Sequence, residues 1–583
     1  MLHTLTRSLR ENKGPALVTV LLSALEVVFE IVIPLFMSNL IDFGIEGGSM
    51  AAVWKFGAFL LLLAAFQLAT GVLAARIAAR ASVGFAANLR EDMYNNVQTF
   101  AFSNIDKFST ASIVTRLTTD TTNVQNAFQM LMRMAIRSPV MLIFSMIVSF
   151  RISRDISMTF LVILPILALA LFFIIRSVFP VFSRVFRTYD ELNNVVQENV
   201  RGIRVVKSFN QERHEIGKFG AISERIYKDF SKGERLITLN APLMQFCIYT
   251  CMIVISWLGA KAIIASGNDP ALGLTTGNLT ALITYTMQIL SSLMMLSMVF
   301  AMLTISLSSA RRIAEVLEER SDIPQPAQPV MTVRDGAVDF DHVSFVYASK
   351  ADKKVLDDID LHIRSGETIG IIGGTGASKS SLVQLIPRLY DVTGGKLTLG
   401  GVDVRDYDLD TLRGAVAMVL QKNELFSGTI AENLRWGNEN ATDEQLRHAC
   451  KLACADGFIS AMPDGYDTHI EQGGTNVSGG QKQRLCIARA LLKKPKVLIL
   501  DDSTSAVDTR TDAQIQQALS TYIPDTTKII IAQRISSVQN ADRIVVLDDG
   551  RIDAVGSHDA LLRTCEIYRE VYESQQKGGE DDA

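Results

Sequence analysis

Six long apolar segments in the first 310 residues constrain this chain more than any other feature. A helix needs about 20 predominantly apolar residues to cross the hydrocarbon core of a bilayer. The segments lie near residues 15–40, 54–78, 136–153, 157–179, 239–264 and 277–305. Overall, 48% of the 583 residues are hydrophobic, and the excess is concentrated in this first half. The sequence therefore predicts a membrane domain of six helices.

The charges between these segments indicate which side of the membrane each loop faces. Arg7, Arg10 and Lys13 precede the first segment, and the stretches 80–135 and 180–237 are rich in Lys and Arg. Positively charged loops stay in the cytoplasm, so we expect the N-terminus, both long stretches and the C-terminal half to be cytoplasmic. Arginines at the edges of the apolar segments, among them Arg137, are expected to extend to the lipid headgroups.

The two long cytoplasmic stretches are polar but helically periodic. Each predicts a pair of transmembrane helices that continue roughly 30–40 Å into the cytosol at 1.5 Å per residue. Residues 2–12 predict a short amphipathic helix lying on the inner membrane surface.

A second, soluble half follows the proline-containing segment SDIPQPAQPV. We assign 1–320 to the transmembrane domain, 321–335 to a linker, 336–574 to a nucleotide-binding domain and 575–583 to a disordered tail. The net charge of −4 gives no indication of a nucleic-acid partner. Six cysteines in so long a chain form no disulfide framework, and they are expected to be reduced thiols.

The stretch ETIGIIGGTGASKSSLVQLI (367–386) combines a β-branched strand, a glycine-rich turn and an amphipathic helix. Backbone N–H groups in such a turn close around phosphate oxygens, and the helix N-terminus adds positive charge. Lys379 is expected to reach the β- and γ-phosphates, and Ser380 to hold Mg²⁺. The usual pattern places a glycine directly before the lysine, where this chain has Ser378.

Three further segments fit one nucleotide site. The strand KVLILD ends in Asp501, which suits a carboxylate that orders Mg²⁺. NVSGGQKQRLCIARALL places a Ser-Gly-Gly turn before a helix, which predicts a second anion-binding N-terminus. The strand IIIAQRIS ends close to where a γ-phosphate would lie.

On these motifs the chain resembles a bacterial ABC exporter half-transporter. The resemblance implies an α-helical six-span transmembrane domain followed by an α/β P-loop nucleotide-binding domain, with ATP and Mg²⁺ as ligands. Two such domains enclose two ATP molecules, each between the Walker motifs of one domain and the signature motif of the other. The metal ligands that the resemblance implies are Ser380, Gln421 and Asp501. The implied ATP contacts are Tyr347 on the adenine, the Walker A residues Gly373, Gly374, Thr375, Gly376, Ala377, Ser378, Lys379, Ser380 and Ser381, the Q-loop Gln421, the Walker B Asp501, the signature residues Ser478, Gly479, Gly480 and Gln481, and the D-loop Asp508.

Two positions depart from the family. Directly after the Walker B aspartate, the family has a glutamate that polarises the attacking water, whereas this chain has Asp502. At the switch position, the family has a histidine, whereas this chain has Gln533. We expect this degenerate catalytic pair to bind ATP but hydrolyse it poorly. Because the signature motif is nearly intact, we expect a heterodimer with a second ABC half-transporter. A slow homodimer, or an ATP-gated regulator or channel, is the alternative.

The transported substrate is the least constrained feature. Glu26 and Glu30 share one face of the first span, and carboxylates in hydrocarbon are expected to face the interior, where they could attract cationic amphiphiles. Methionines of the last span, including Met294 and Met298, suit varied ligands or ordinary packing. A small amphiphile, drug or lipid-like, is our expectation, with peptide or siderophore as alternatives. The predicted location is a bacterial inner membrane, in contact with membrane lipid.

We expect the tips of the two cytoplasmic helical pairs, 105–110 and 202–212, to couple the two halves of the chain by docking near the Q-loop.

Overall fold

The structure is a computed structural model and describes residues 1–269, 273–347, 354–503 and 506–580. It divides into two compact units. The first comprises Met1–Gln98 and Thr110–Glu319, and the second comprises Thr99–Ser109 and Arg320–Ala583. The short segment Thr99–Ser109 thus packs with the second unit, although the sequence assigned it to the transmembrane domain.

Eleven α-helices precede the first strand in the described part of the chain. They are α1 (Leu2–Arg7), α2 (Lys13–Asn39), α3 (Met50–Gln98), α4 (Phe102–Phe108), α5 (Thr110–Thr115), α6 (Thr121–Ile152), α7 (Arg154–Arg201), α8 (Ile203–Ser208), α9 (Glu212–Thr238), α10 (Asn240–Ser266) and α11 (Thr276–Glu318). Among the described residues, six helical segments are long and apolar enough to cross a membrane. The prediction of six apolar helices is confirmed.

Several of these helices are much longer than a bilayer is thick. Helices α3 and α7 contain 49 and 48 residues, so each is about 70 Å long at 1.5 Å per residue, whereas the hydrocarbon core is about 30 Å thick. The polar ends therefore continue as helix beyond the apolar parts, as their periodicity predicted.

Asp42 joins the end of the first span to the start of the last. It lies in a π-helical turn, Leu40–Glu46, and accepts hydrogen bonds from Thr275 Oγ1 at 2.7 Å and from the backbone N–H of Gly277 at 2.8 Å. A Cβ on Gly277 would lie 2.3 Å from the carbonyl oxygen of Ser38, so only glycine allows this close approach. The contact satisfies an otherwise free donor at the N-terminus of α11.

The second unit contains twelve strands and nine further helices in its described residues. The strands are β1 (Val338–Phe345), β2 (Leu356–Ile363), β3 (Thr368–Gly373), β4 (Gly394–Leu399), β5 (Val402–Asp403), β6 (Val416–Val419), β7 (Gly428–Thr429), β8 (His469–Ile470), β9 (Val497–Asp501), β10 (Thr527–Ile531), β11 (Arg543–Asp548) and β12 (Arg551–Gly556). The helices are α12 (Lys379–Gln384), α13 (Leu409–Ala415), α14 (Ile430–Arg435), α15 (Asp443–Leu452), α16 (Asp456–Ser460), α17 (Gly479–Leu492), α18 (Thr509–Tyr522), α19 (His558–Thr564) and α20 (Glu566–Glu580). The predicted α/β domain is confirmed.

The central sheet of this unit determines where the functional loops meet. Its strand order is β12-β11-β3-β10-β9-β6, with an antiparallel β12 at one edge and the other five strands parallel. A four-stranded antiparallel sheet, β2-β1-β4-β5, accompanies it. All residues of β9 and β10 are buried, as expected for strands covered on both faces. The carboxyl ends of β6, β9, β10 and β3 therefore lie side by side.

Helix α20 runs to Glu580, where the sequence predicted a disordered tail from residue 575. The expectation is corrected for residues 575–580, and residues 581–583 lie outside the described part. Apolar side chains lie along one face of α20, and Tyr568 on that face is fully buried in the core, which stabilises the helix.

The six cysteines are free thiols. Five are buried, and Cys454 is half-buried. Burial raises the pKa of Cys450 to about 12, so this thiol stays protonated at neutral pH.

Candidate functional site

The predicted phosphate-binding loop connects β3 to α12, in the strand–turn–helix arrangement that the sequence predicted. Lys379 opens α12, and its Nζ donates hydrogen bonds to the carbonyl oxygens of Gly373 and Gly374, both at 2.8 Å. Burial lowers the pKa of Lys379, although Asp501 and Asp502 act in the opposite direction. The ammonium group thus lies across the loop, where it can exchange these carbonyls for phosphate oxygens.

Ser378 takes a conformation that normally favours glycine. Its φ and ψ are 65° and 21°, in the left-handed region, and Gly376 also has a positive φ of 88°. A left-handed conformation costs a residue with a Cβ roughly 1–2 kcal/mol. The loop therefore keeps the backbone conformation that a glycine would adopt, and the serine bears the strain.

Ser380 and Asp501 form a pair of oxygen ligands beside this loop. The Oγ of Ser380 donates a 3.0 Å hydrogen bond to Oδ1 of Asp501, whose side chain is almost fully buried. Burial raises the pKa of Asp501, because a carboxylate loses its hydration there. A hydroxyl and a carboxylate are hard oxygen ligands of the kind that Mg²⁺ prefers, so the two residues fit this ion.

Asp502 receives hydrogen bonds from two amide side chains. Gln533 Nε2 donates to its Oδ2 at 2.8 Å, and Gln421 Nε2 donates to the same oxygen at 3.4 Å. The three residues follow β9, β10 and β6, which are neighbours in the sheet. Asp502 has a positive φ of 48°, a strained backbone conformation typical of functional sites. Sequence reasoning placed Gln421 near the metal but missed its contact with Asp502.

Tyr347 lies beside the phosphate-binding loop with its ring partly exposed. Its hydroxyl is 2.8 Å from the Oγ of Ser381, and its ring packs edge-on against Phe345 and Tyr390. The ring is 45% exposed, which leaves a face available for a planar group.

The signature motif forms the start of α17. Ser478 is its N-cap: the backbone N–H of Gln481 donates to Ser478 Oγ at 3.3 Å, and the Ser478 N–H donates to Gln481 Oε1 at 2.9 Å. This reciprocal pair is a capping box. A Cβ on Gly480 would lie 2.8 Å from the carbonyl oxygen of Ala506, so glycine permits close packing against the D-loop.

A separate cavity of about 330 Å³ opens at this helix start. Its lining, within the described residues, comes from the signature motif and the D-loop and contains none of the phosphate-binding loop: Ser478, Gly479, Gly480, Arg484, Ala506, Val507 and Asp508. Asp508 caps α18 by accepting a 2.9 Å hydrogen bond from the Thr511 N–H, and this bond lowers the pKa of Asp508. The signature motif and the D-loop thus line a cavity that is separate from the predicted phosphate-binding loop.

Comparison with known proteins identifies the family of this chain. The ABC transporter transmembrane region family matches residues 16–294, and the ABC transporter family matches residues 356–505. An uncharacterized ABC transporter ATP-binding protein of Bacillus subtilis, YfiB, is 35% identical over 561 residues, which cover 96% of each chain. The chain belongs to the ABC transporter family. Rv1273c of Mycobacterium tuberculosis, another uncharacterized ABC transporter ATP-binding protein, is 33% identical over 99% of this chain and 98% of its own.

The fold is that of an ABC exporter. The structure of a bacterial Atm1-family ABC exporter with ATP bound has a TM-score of 0.80 to this chain, covers 97% of it and 98% of its own length, and is 24% identical. This ABC transporter is therefore a multi-pass membrane protein and a transport ATPase whose nucleotide-binding domain implies ATP binding. ABC exporters function as dimers.

The membrane domain of this ABC transporter contains an ion-pair cluster. Arg137 of α6 donates to Glu26 Oε1 at 2.9 Å through Nη1 and to Glu30 Oε2 at 2.7 Å through Nη2. The expectation that Arg137 extends to the headgroups is wrong, because two carboxylates of another span attract it more strongly. Gln288 of α11 donates to the backbone carbonyl of Glu30 at 3.2 Å, so three spans meet here.

The two methionines singled out in the last span are partly exposed. Met294 is 46% and Met298 is 62% exposed within the chain. The sequence signals for this cluster were charged residues in or beside apolar segments, Glu26 and Glu30 in the first span and Arg137 at the start of the third, but nothing local paired them.

Proposed function

We propose that this chain is the hydrolysis-impaired subunit of a heterodimeric ABC exporter that exports a small amphiphile. The observation that carries the proposal is the hydrogen bond between Asp502 and Gln533. These two residues occupy the positions where the family has the water-polarising glutamate and the switch histidine. Both departures fall in the same half-site.

The physical consequence is a slow chemical step. An aspartate is one methylene shorter than a glutamate, so its carboxylate falls short of the attacking water by about 1 Å, and a displacement of that size can lower the rate by ~10²-fold. An amide donates a hydrogen bond but carries no positive charge to stabilise the transition state. In addition, the amides of Gln533 and Gln421 already engage the Asp502 carboxylate.

ATP binding itself is expected to persist. Lys379 lies across the phosphate-binding loop, and Ser380 and Asp501 are placed to hold Mg²⁺. When bound, Mg²⁺ neutralises charge on the β- and γ-phosphates. Tyr347 offers an exposed ring for the adenine. This half-site therefore has the parts needed to bind nucleotide.

The intact signature motif supports a partner with a competent site. Ser478 and Gln481 form a complete capping box, and the cavity beside them is open to a ligand held by another chain. The N-terminus of α17 provides backbone N–H donors and a partial positive charge for a γ-phosphate. A second ABC half-transporter would supply the Walker motifs opposite this surface.

The ion-pair cluster supports a cationic amphiphile as the substrate class. Glu26, Glu30 and Arg137 together carry one net negative charge, and charged groups inside a membrane face a water-filled path rather than lipid. Positively charged drugs or lipid-like molecules would balance that charge. By the positive-inside rule, we place the nucleotide-binding domain and the N-terminus in the cytoplasm of a bacterium, with the spans in its inner membrane.

Purification with a tag on this chain alone tests the proposal. We expect a second half-transporter with the glutamate and histidine to copurify, and the pair to hydrolyse ATP faster than the tagged chain alone. Brisk ATP turnover by two copies of this chain, with no companion, would indicate a homodimeric exporter. ATP binding without transport by the pair would indicate a regulator or channel.

A further inference from the structure

A connected group of aromatic rings lies between the nucleotide-facing Tyr347 and helix α4. The rings of Tyr347 and Tyr390 are 5.1 Å apart and nearly perpendicular, at 87°. Tyr390 also contacts the ring of Phe102 in α4, at 6.0 Å and again edge-on. Edge-to-face pairs stabilise a specific relative orientation of the two rings. Tyr390 thus contacts both the nucleotide side and α4.

A hydrogen bond reinforces the contact with α4. The hydroxyl of Tyr390 donates to Oδ2 of Asp106 at 3.0 Å. Burial, and secondarily the neighbouring Asp106 carboxylate, raise the pKa of Tyr390, so the hydroxyl keeps its proton and its role as donor at physiological pH. Hydrogen bonds to a charged acceptor are about twice as strong as neutral ones.

The turn that presents Tyr390 is held firmly. Arg388 is buried, has a positive φ of 51°, and pairs with both carboxylate oxygens of Asp391, at 2.6 and 3.1 Å. Its third contact is the carbonyl oxygen of Arg405, at 3.3 Å. A bidentate pair inside the domain leaves the backbone on both sides of Tyr390 little freedom.

Helix α4 has a second anchor within the same unit. Asn104 Nδ2 donates to the carbonyl oxygen of Arg320 at 3.0 Å, and the backbone N–H of Asp322 donates to Asn104 Oδ1 at 3.3 Å. The helix is therefore held at Asn104 by the start of the linker and at Phe102 and Asp106 by Tyr390. The Tyr390 contacts lead back to the nucleotide half-site, through the ring of Tyr347.

We propose that Tyr390 is a positioning residue that transmits adenine binding at Tyr347 to the placement of helix α4. The inference rests on the proposed function, because it takes Tyr347 to be the adenine contact. The hydroxyl of Tyr347 is bonded to Ser381 in α12, so the ring moves with the phosphate-binding loop. An adenine stacked on Tyr347 limits the motion of that ring, and Tyr390 passes the restriction to Phe102 and Asp106.

Hydrogen–deuterium exchange on the purified full-length protein, with and without Mg-ATP, tests the inference. In the natural protein, we expect ATP to slow exchange in peptides covering residues 368–386 and also in those covering 99–109. In the Tyr390→Leu variant, we expect ATP still to slow exchange in peptides covering 368–386 but no longer in those covering 99–109. In Tyr390→Phe, which keeps the ring, basal exchange in 99–109 rises about fivefold, as for the loss of one hydrogen bond.

Two controls separate this effect from general destabilisation. Tyr522→Phe makes the same chemical change at a ring that contacts His448 in another part of the domain, and it should leave 99–109 unchanged. Inorganic triphosphate has no base, so it should protect 368–386 without protecting 99–109.

The outcomes distinguish the two proposals. If ATP protects 368–386 and protects 99–109 equally in Tyr390→Leu and the natural protein, the role of Tyr390 is overturned while ATP binding stands. A response of 99–109 to triphosphate alone would also overturn it, because the base would then be dispensable. If ATP fails to protect 368–386 in the natural protein, both the proposed ATP site and this inference fail.

Discussion

The side-chain amide of Gln533 donates a 2.8 Å hydrogen bond to the carboxylate of Asp502. The two residues follow neighbouring parallel strands, β10 and β9, whose last residues Ile531 and Asp501 are paired in register. Sheet geometry therefore makes the two departures from the family adjacent. A carboxylate held by an amide is stable in this position but poorly arranged to activate water.

Restoring both family residues should restore hydrolysis. We expect Asp502→Glu with Gln533→His to raise ATP turnover of this chain alone by ~10²-fold, since it lengthens the carboxylate and adds a cationic group. Asp502→Glu alone should give a smaller gain, because Gln533 still engages the carboxylate. Phosphate release measures both. Adding Lys379→Ala to the double variant should return turnover to baseline, and a double variant no faster than the natural chain would contradict the proposal.

In the purified pair, the two half-sites of this chain should differ in importance. We expect Ser478→Ala to lower ATP turnover about tenfold or more, because it removes a donor from the competent site, whereas Lys379→Ala in this chain lowers it less. Thr442→Ala removes an equivalent capping box elsewhere in the domain and controls for lost helix stability. Equal losses from the two site variants would argue for two equivalent sites.

The strained loop predicts a stabilising substitution. Ser378→Gly should raise the thermal unfolding temperature of the protein in detergent, because relief of the left-handed strain, roughly 1–2 kcal/mol, exceeds the entropic cost of glycine, roughly 0.5–1 kcal/mol. Ser381→Gly, in the adjoining helix, should lower it. A lower unfolding temperature for Ser378→Gly would show that the serine side chain makes a compensating contact.

Removing the arginine of the ion-pair cluster should be costly. Arg137→Gln leaves Glu26 and Glu30 unpaired inside the membrane domain, and breaking a buried pair typically costs about 3–5 kcal/mol. We expect a lower yield and a lower unfolding temperature in detergent. The triple variant with Gln at all three positions should recover most of the loss, because no uncompensated charge is left. A triple variant as unstable as the single one would contradict this account.

The buried Asp501 predicts a dependence of stability on pH without nucleotide. Because its pKa is raised above the ordinary 3.8, the folded state binds more protons than the unfolded state just above that value. Its contribution is therefore present at lower pH and is lost as pH rises through the folded pKa. Asp501→Asn should flatten this slope and raise the unfolding temperature near pH 7.

Asp508→Asn is the matched control, because the pKa of Asp508 is lowered instead. Its contribution is present above the ordinary aspartate value and is lost as pH falls through the lower folded pKa. The Asp508→Asn variant should therefore keep the loss of stability that Asp501 causes as the pH rises. An Asp501→Asn variant with an unchanged pH profile would contradict the prediction.

Local patterns carried much of the fold and of the candidate site. Hydropathy located all six spans, because crossing a bilayer requires a long uninterrupted apolar helix. The strand-turn-helix around Lys379 and the strand ending in Asp501 were readable because each is a contiguous segment with its own periodicity. The departure at Ser378 was visible, but its left-handed backbone was not, because the surrounding loop imposes that conformation.

Contacts between distant residues were not readable in the same way. Arg137 is 111 residues from Glu26, and no spacing rule connects them. Tyr390 is 284 residues from Asp106, and its role in holding α4 leaves no local pattern. Residues 575–580 are helical although their polar, glycine-containing composition predicted disorder, because α20 packs on the domain.

The sequence by itself determined the elements, their order and the chemistry they carry, because hydropathy, turn residues and motif spacing act over a few neighbouring residues. Only the tertiary structure decided which side chains meet: Gln533 and Gln421 with Asp502, Arg137 with Glu26 and Glu30, and Tyr390 with Asp106. Such pairings depend on sheet order and helix packing, which bring together residues that no local interaction relates.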